Sequence, residues 1–447
     1  MTVDLHARVE ALLPQLRRDL EDLVRIPSVS ADPGAADEVA RSAAAVAQLL
    51  RGAGLADVEV LSVPGGQPAV VGSRPGPAGA PTVLLYAHHD VQPTGARSGW
   101  DSEPFEPTER DGRLFARGAA DDKAGVAVHL AALRAFGADL PVGVTVLVEG
   151  EEEIGSPTLA EFLRVHRDRL AADVLVLADS TNWAVGVPAL TVSLRGLVDC
   201  VVEVRTLAHG IHSGMYGGPL PDALTTLCRL LATLHDDAGS VAVAGLGGGD
   251  ADPLDLTEER FRAEAGAVPG LALLGSGSIT SRLWSRPALS VIGIDAPTVD
   301  AASNTLLPVA RAMVSLRVPP GTDAVVAMTA LVGHLRAAAP WGAAVKVTPG
   351  AVGQPFAADA TSAAHQAARD AFAEAWDGVA SVDIGVGGSI PFIAAFAEVF
   401  PDAAVLVTGV EDPDTRAHGA NESLHLGEFA RACLAETLLL ARLGAPA

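Results

Sequence analysis

Three apolar runs, VLLY (83–86), VTVLV (144–148) and VLVLA (174–178), carry no polar interruption, as expected of strands buried on both faces of a sheet. Helical periodicity fills the gaps between them, at 124–140 and 156–172. Strand–helix–strand alternation predicts a mainly parallel sheet with right-handed crossovers, whose carboxyl ends line up along one edge. The pattern changes near Arg195. Residues 189–205 (ALTVSLRGLVDCVVEVR) read as one long alternating strand, and 220–236 as an amphipathic helix. Strands at 288–295 and 309–318, a helix at 323–339 and a last strand at 343–349 follow. That β-α-β-β-α-β order is ferredoxin-like, with an antiparallel sheet. The expected architecture is α/β: one domain made of 1–192 and 351–447, interrupted by an α+β domain at 193–350.

Composition narrows the partners. A chain of 447 residues, 49% hydrophobic, is long enough for two or three cores. With 31 basic against 54 acidic residues the formal charge is −23, which argues against nucleic acid and anionic membranes as partners. Cys200, Cys228 and Cys433 are few and scattered, as in a reducing compartment. The first thirty or so residues have helical periodicity without an apolar signal core, and no run approaches the ~18 apolar residues of a membrane span. A cytoplasmic location is expected.

Just past the apolar runs stand potential metal ligands. His88 and Asp90 end the first, Glu152 and Glu153 follow the second, and Asp179 follows the third. Asp121 and Asp122 precede a helix, and His418 lies far downstream. In an open α/β sheet the ligand crevice lies beyond the carboxyl ends of the strands, so these residues are expected to converge. A mixed His/Asp/Glu set suits two divalent ions sharing a carboxylate. His88 and Asp90, two apart, project to one side: the histidine as ligand, the aspartate accepting from its other ring nitrogen. One of Asp121 and Asp122 can bridge two ions while the other caps the helix. One of Glu152 and Glu153 binds metal while the other acts as general base. Each of these residues in isolation would pass for an ordinary turn acid or buried histidine; the constellation is what points to chemistry.

The motifs H-x-D-V-Q-P (88–93), W-x-S-x-P-F-x-P (100–107), D-G-R-L-F-A-R-G-x-x-D-D-K-x-G (111–125) and E-G-x-E-E-x-G-S (149–156) resemble those of the M20 metallopeptidases. So do L-R-G (194–196), H-S-G-x-Y-G-G (212–218) and H-x-x-N-E (418–422), in order and over nearly the whole chain. The nearest branch is that of cytosolic dipeptidases and carnosinases. The resemblance implies a di-metal exopeptidase-like catalytic domain and a ferredoxin-like lid that joins a homodimer. It implies ions held by His88/Asp121/Asp179 and Asp121/Glu153/His418, with Asp90 as orienter and Glu152 as general base to a metal-bridging hydroxide. Zn²⁺ is the first expectation, with Mn²⁺ or Co²⁺ compatible. His212 would reach a neighbouring subunit's site, Arg317 and Ser389 would hold the substrate's carboxylate end, and Asn304 would face the partner's site. One departure is Gly210, where the family commonly has an aspartate two residues before the histidine. The implied reaction is hydrolysis of dipeptides, or short peptides with a free C-terminal carboxylate. Two alternatives are an N-acyl-amino-acid deacylase and a scaffold that kept the fold without the chemistry; the intact ligand set argues against the latter.

Overall fold

The computed structural model describes residues 4–388 and 390–445. They form two compact units, one of residues 4–192, 358–384 and 390–445, the other of 193–357 and 385–388. The second unit runs past the expected boundary at 350, because the last strand of its sheet continues to Gly353.

In the first unit the sheet runs Ala56–Leu61, Ala69–Arg74, Gly143–Glu149, Thr82–His88, Val174–Leu177, Ala404–Val407, Ala189–Leu194. Thr82–His88 pairs in parallel with both Gly143–Glu149 and Val174–Leu177, and the latter in parallel with Ala404–Val407. The apolar runs are buried on both faces because helices cover both. Val83, Leu85 and Ala87 pack into the core with Leu5–Val24, Lys123–Phe136 and Leu426–Leu443. Tyr86 faces the other way and stacks on Phe392 with ring centroids 3.9 Å apart. The chain leaves Thr82–His88 to one neighbouring strand and returns past it to the other, so a crevice opens at its carboxyl end.

Local chemistry sets the element ends. Asp122 caps Lys123–Phe136 by accepting from the Gly125 N–H at 3.2 Å, and Gly137, at φ +56°, stops that helix short of the expected 140. The helical stretch at 156–172 divides into Leu159–Val165 and Arg167–Leu170. A small sheet joins Ser423–His425 to Arg113–Phe115 and Thr108–Arg110, which brings the C-terminal loop against the loop before Asp121.

The second unit is an antiparallel sheet in the order Ala288–Asp295, Val309–Val318, Gly196–Arg205, Ala344–Gly353. Helices Ala223–Ala232 and Ala324–Ala337 cover one face, over a core that includes Val198, Val202, Leu227, Val314 and Leu331. Residues 189–205 are not the single strand their alternation suggests. Ala189–Leu194 and Gly196–Arg205 belong to different sheets, and the break is at Arg195. A Cβ on Gly196 would lie 2.5 Å from the Gly353 carbonyl oxygen, so glycine is required where the chain changes sheets.

Candidate metal centre

His88 is the last residue of its strand and is fully buried. Its Nδ1 lies 3.0 Å from the Asp90 carbonyl oxygen and 3.4 Å from Asp90 Oδ1. Its Nε2 lies 3.1 Å from Asp121 Oδ1 and 3.8 Å from Asp179 Oδ2. The second oxygen of Asp121 is 3.1 Å from His418 Nε2, which in turn is 3.2 Å from Glu153 Oε2. Asp121 therefore offers one oxygen to each of two imidazoles, the disposition a carboxylate needs to bridge two ions. His88, Asp121 and Glu153 place donor atoms within 4.8 Å of one another, as do His88, Glu152 and Asp179.

The charges gathered here are mutually hostile without a cation. Burial pushes Asp179 up to about 7, and Asp121 and Glu153 add to the effect. Burial also drives Glu152 well above the usual carboxylate range, although His88 opposes it. Asp121 is held below that range despite burial, because His418 and His88 donate to it. The same contact with Asp121, and then Glu153, raises His418 to about 10. A nitrogen and oxygen donor set of this kind accepts divalent ions.

The structure separates roles that the sequence left paired. Asp122 is taken up by the helix cap and by the His88 N–H, at 3.2 Å, which leaves Asp121 for the crevice. Asp90 accepts from the backbone N–H groups of Glu152 (3.3 Å) and Glu153 (3.1 Å), tying the acidic turn to the histidine strand. Lys123, the last polar residue of its motif, is wholly buried and donates to the Leu23 and Ile26 carbonyls at 2.9 and 2.7 Å. It fastens the end of the first helix rather than serving the crevice.

Several supporting residues carry no signal beyond their presence in a motif. Gln92 donates from Nε2 to Glu153 Oε2 at 2.8 Å, and its own N–H reaches Glu153 Oε1 at 3.0 Å. Glu422 is fully buried, pairs with Arg117 Nη1 at 2.6 Å, and accepts from the N–H groups of Gly118, Ala120 and Asp121 at 3.0, 3.0 and 3.2 Å. Asn421 accepts from the Asp101 N–H at 3.0 Å, so the tryptophan motif braces the His418 loop. Glu411 is a further carboxylate beside this cluster, and no spacing rule marks it.

The remaining candidates lie in the second unit. His212 is exposed on a two-residue strand, Ile211–His212, paired with Thr305–Leu306, and its Nδ1 accepts from the Gly214 N–H at 3.0 Å. The Asn304 carbonyl accepts from Ser213 N–H and Oγ–H, both at 2.9 Å, which fixes the loop that carries His212. A Cβ on Gly210 would stand 3.1 Å from Thr305 Cγ2, so the close pairing of these strands leaves little room for a side chain there. Arg317, on Val309–Val318, forms no ion pair with any described residue. Ser389 lies outside the described residues.

Residues 84–442 match the model of peptidase family M20/M25/M40. The cysteinylglycine-S-conjugate dipeptidase of Corynebacterium striatum is 36% identical over 385 residues, 84% of each chain. Human carnosine dipeptidase 1 superposes with a TM-score of 0.81 at 25% identity, covering 98% of both chains. The di-peptidase Dug1p from Saccharomyces cerevisiae superposes with a TM-score of 0.83 at 24% identity over 99% of both chains, a likeness of fold.

Proposed function

We infer, for a chain that belongs to peptidase family M20/M25/M40 and holds one aspartate between two histidines, that it is a metal-dependent dipeptidase. The substrates on this reading are dipeptides, or short peptides with a free C-terminal carboxylate, in line with the relatives named for cysteinylglycine conjugates and carnosine. The bridging disposition of Asp121 is the observation that carries it. His88, Asp121 and Asp179 would hold one divalent ion and Asp121, Glu153 and His418 a second, with zinc the first expectation and Mn²⁺ or Co²⁺ suited to the same donors. When bound, the ions supply the Lewis acidity that polarises an amide carbonyl and acidifies water.

The chain's own residues do the rest. Glu152 takes a proton from the attacking water and returns it to the leaving amine, the two proton transfers that amide hydrolysis requires. Asp90 fixes the ring of His88, and Gln92 fixes the carboxylate of Glu153. Arg317, with no acid of its own among the described residues, is free to grip the substrate's carboxylate bidentately, and Ser389 assists it. In a homodimer joined through the second unit, His212 completes the site of the other subunit, donating to the developing oxyanion, and Asn304 holds its loop. Two observations support that assembly. Ala288–Asp295 is an edge strand, and it leaves Val291, Ile292 and Ile294 exposed. No described helix is long and apolar enough to cross a membrane, and all three cysteines are unpaired. We place the enzyme in the cytoplasm.

The test is metal analysis combined with hydrolysis of simple dipeptides before and after chelation. Two ions per chain, and activity lost with them and regained on reconstitution, is the expected result. A fully metallated protein that leaves dipeptides intact would refute the reading.

A further inference from the structure

Beyond the ends of Val174–Leu177 and Ala404–Val407 the two segments remain paired. The Thr408 N–H donates to Leu177 O at 2.8 Å, the Glu411 N–H to Ser180 O at 3.3 Å, and the Asn182 N–H to Glu411 O at 2.8 Å. Thr181 and Glu411 form a parallel bridge two residues past Asp179. Glu411 thus stands at the carboxyl edge of the sheet, in the same row as His88, the acidic turn and Asp179. Successive residues of extended chain face opposite ways. Asp412 turns inward to Arg113, at 2.9 Å, while the Glu411 carboxylate feels the charges of Asp121, Asp179, Glu422 and His418.

That carboxylate is half-buried, yet it makes no hydrogen bond or ion pair with any described residue. Nor does it belong to the donor sets gathered around His88. A carboxylate partly withdrawn from water and without a partner is costly unless a cation arrives with the ligand. A dipeptide carries such a cation: its α-ammonium group is attached to the carbon next to the scissile carbonyl. A group that received it would have to sit beside the metal donors without being one of them.

We propose that Glu411 receives the α-ammonium group of the peptide's first residue and so selects unblocked peptides over N-acylated amino acids. The inference rests on the dipeptidase reading, and it names the feature that would divide a dipeptidase from a deacylase in this crevice. A charge-assisted hydrogen bond of this kind is worth about 10- to 100-fold in kcat/KM.

The experiment compares alanyl-glycine with propionyl-glycine, which differ only by hydrogen in place of the ammonium, on the metal-loaded full chain. The wild type should prefer alanyl-glycine. Glu411→Gln should lose about 10- to 100-fold on alanyl-glycine and stay within about twofold on propionyl-glycine. Glu411→Asp, which keeps the charge on a shorter arm, should recover part of the preference. Metal content and melting temperature are measured on each variant. Equal losses on both substrates, or loss of an ion from Glu411→Gln, would overturn the assignment of Glu411 while leaving the dipeptidase reading standing. A wild type that cleaves propionyl-glycine as readily as alanyl-glycine would overturn the dipeptidase reading itself, and this inference with it.

Discussion

Asp90→Asn removes a charge from the crevice while keeping the shape of the side chain. Asp90 is fully buried, with one oxygen accepting from the Glu152 N–H and the other from the Glu153 N–H, and Oδ1 also facing His88 Nδ1. An asparagine has one oxygen, so in either orientation its NH₂ group opposes a backbone N–H, donor against donor. A buried N–H left unmet costs about 1–3 kcal/mol. His88 loses its charged neighbour at the same time and keeps only the Asp90 carbonyl, 3.0 Å from Nδ1. Residues that orient a metal-binding histidine are typically worth about 10- to 100-fold in metal affinity or activity, or roughly 1.4–2.7 kcal/mol. The expected outcome is a fall of that size in affinity for one of the two proposed divalent ions, read by competition against a chromophoric chelator, with a lowered melting temperature. Wild-type affinity at both positions would refute the argument that Asp90 supports His88.

Glu152→Gln should lose about 10²- to 10⁴-fold in turnover with both ions retained; loss of an ion by mass spectrometry would show that Glu152 and Glu153 have exchanged roles. Arg317→Lys should not be conservative, because an ammonium lacks the planar fork; amidating the substrate's C-terminus should then hurt the wild type far more than the variant, and equal losses would exclude the contact. Mixing inactive His212→Ala with inactive Glu152→Ala after subunit exchange should return activity near a quarter of wild type, from random pairing and one intact site per heterodimer; demonstrated exchange without activity would dismiss the shared site. His129, fully buried, has Nδ1 2.8 Å from Glu436 Oε1 and Nε2 3.0 Å from Tyr86 O, and although burial opposes it, Glu436 raises its pKa above 6.5. Its folded value exceeds its unfolded one, so its contribution is complete below about pH 6.5 and fades as the pH rises through the folded value. The melting-temperature gap between wild type and His129→Gln should narrow in that direction, and a gap constant from acid to alkaline pH would contradict the pairing.

The sheet was legible because uninterrupted apolar runs have one explanation in a chain that alternates strands with helices. VLLY, VTVLV and VLVL are buried on both faces, and the residues just past them stand at one edge of the sheet. Illegible were choices that hinge on a single contact. Asp121 and Asp122 are adjacent and identical, so spacing alone could not part them and only the family resemblance named Asp121; in the structure the Gly125 and His88 N–H groups, both reaching Asp122, leave Asp121 for the crevice. Residues 189–205 alternate without a flaw, and the break at Arg195 depends on a backbone approach from Gly353, more than 150 positions away in sequence. Gln92, Asn421 and Glu422 look like surface polar residues to any periodicity rule, because their partners come from distant segments.

Glu422 explains how a site assembled from both ends of the chain stays in register. His418 and Asn421 have φ of +62° and +61°, left-handed values that cost a non-glycine residue about 1–3 kcal/mol each when imposed by function. A loop bent in this way needs an anchor stronger than its own turns. Glu422 provides one by accepting three backbone N–H groups from 118–121 and pairing with buried Arg117, whose Nη2 also reaches Gly419 O at 3.1 Å. The strand Ser423–His425 then locks onto Arg113–Phe115 directly behind it. The same carboxylate that holds the Asp121 N–H therefore also sets the loop that carries His418, so the aspartate and one of its two histidines are positioned by one buried group. Such an arrangement cannot shift the His418 loop without disturbing Asp121, which is what the proposed two-ion centre requires.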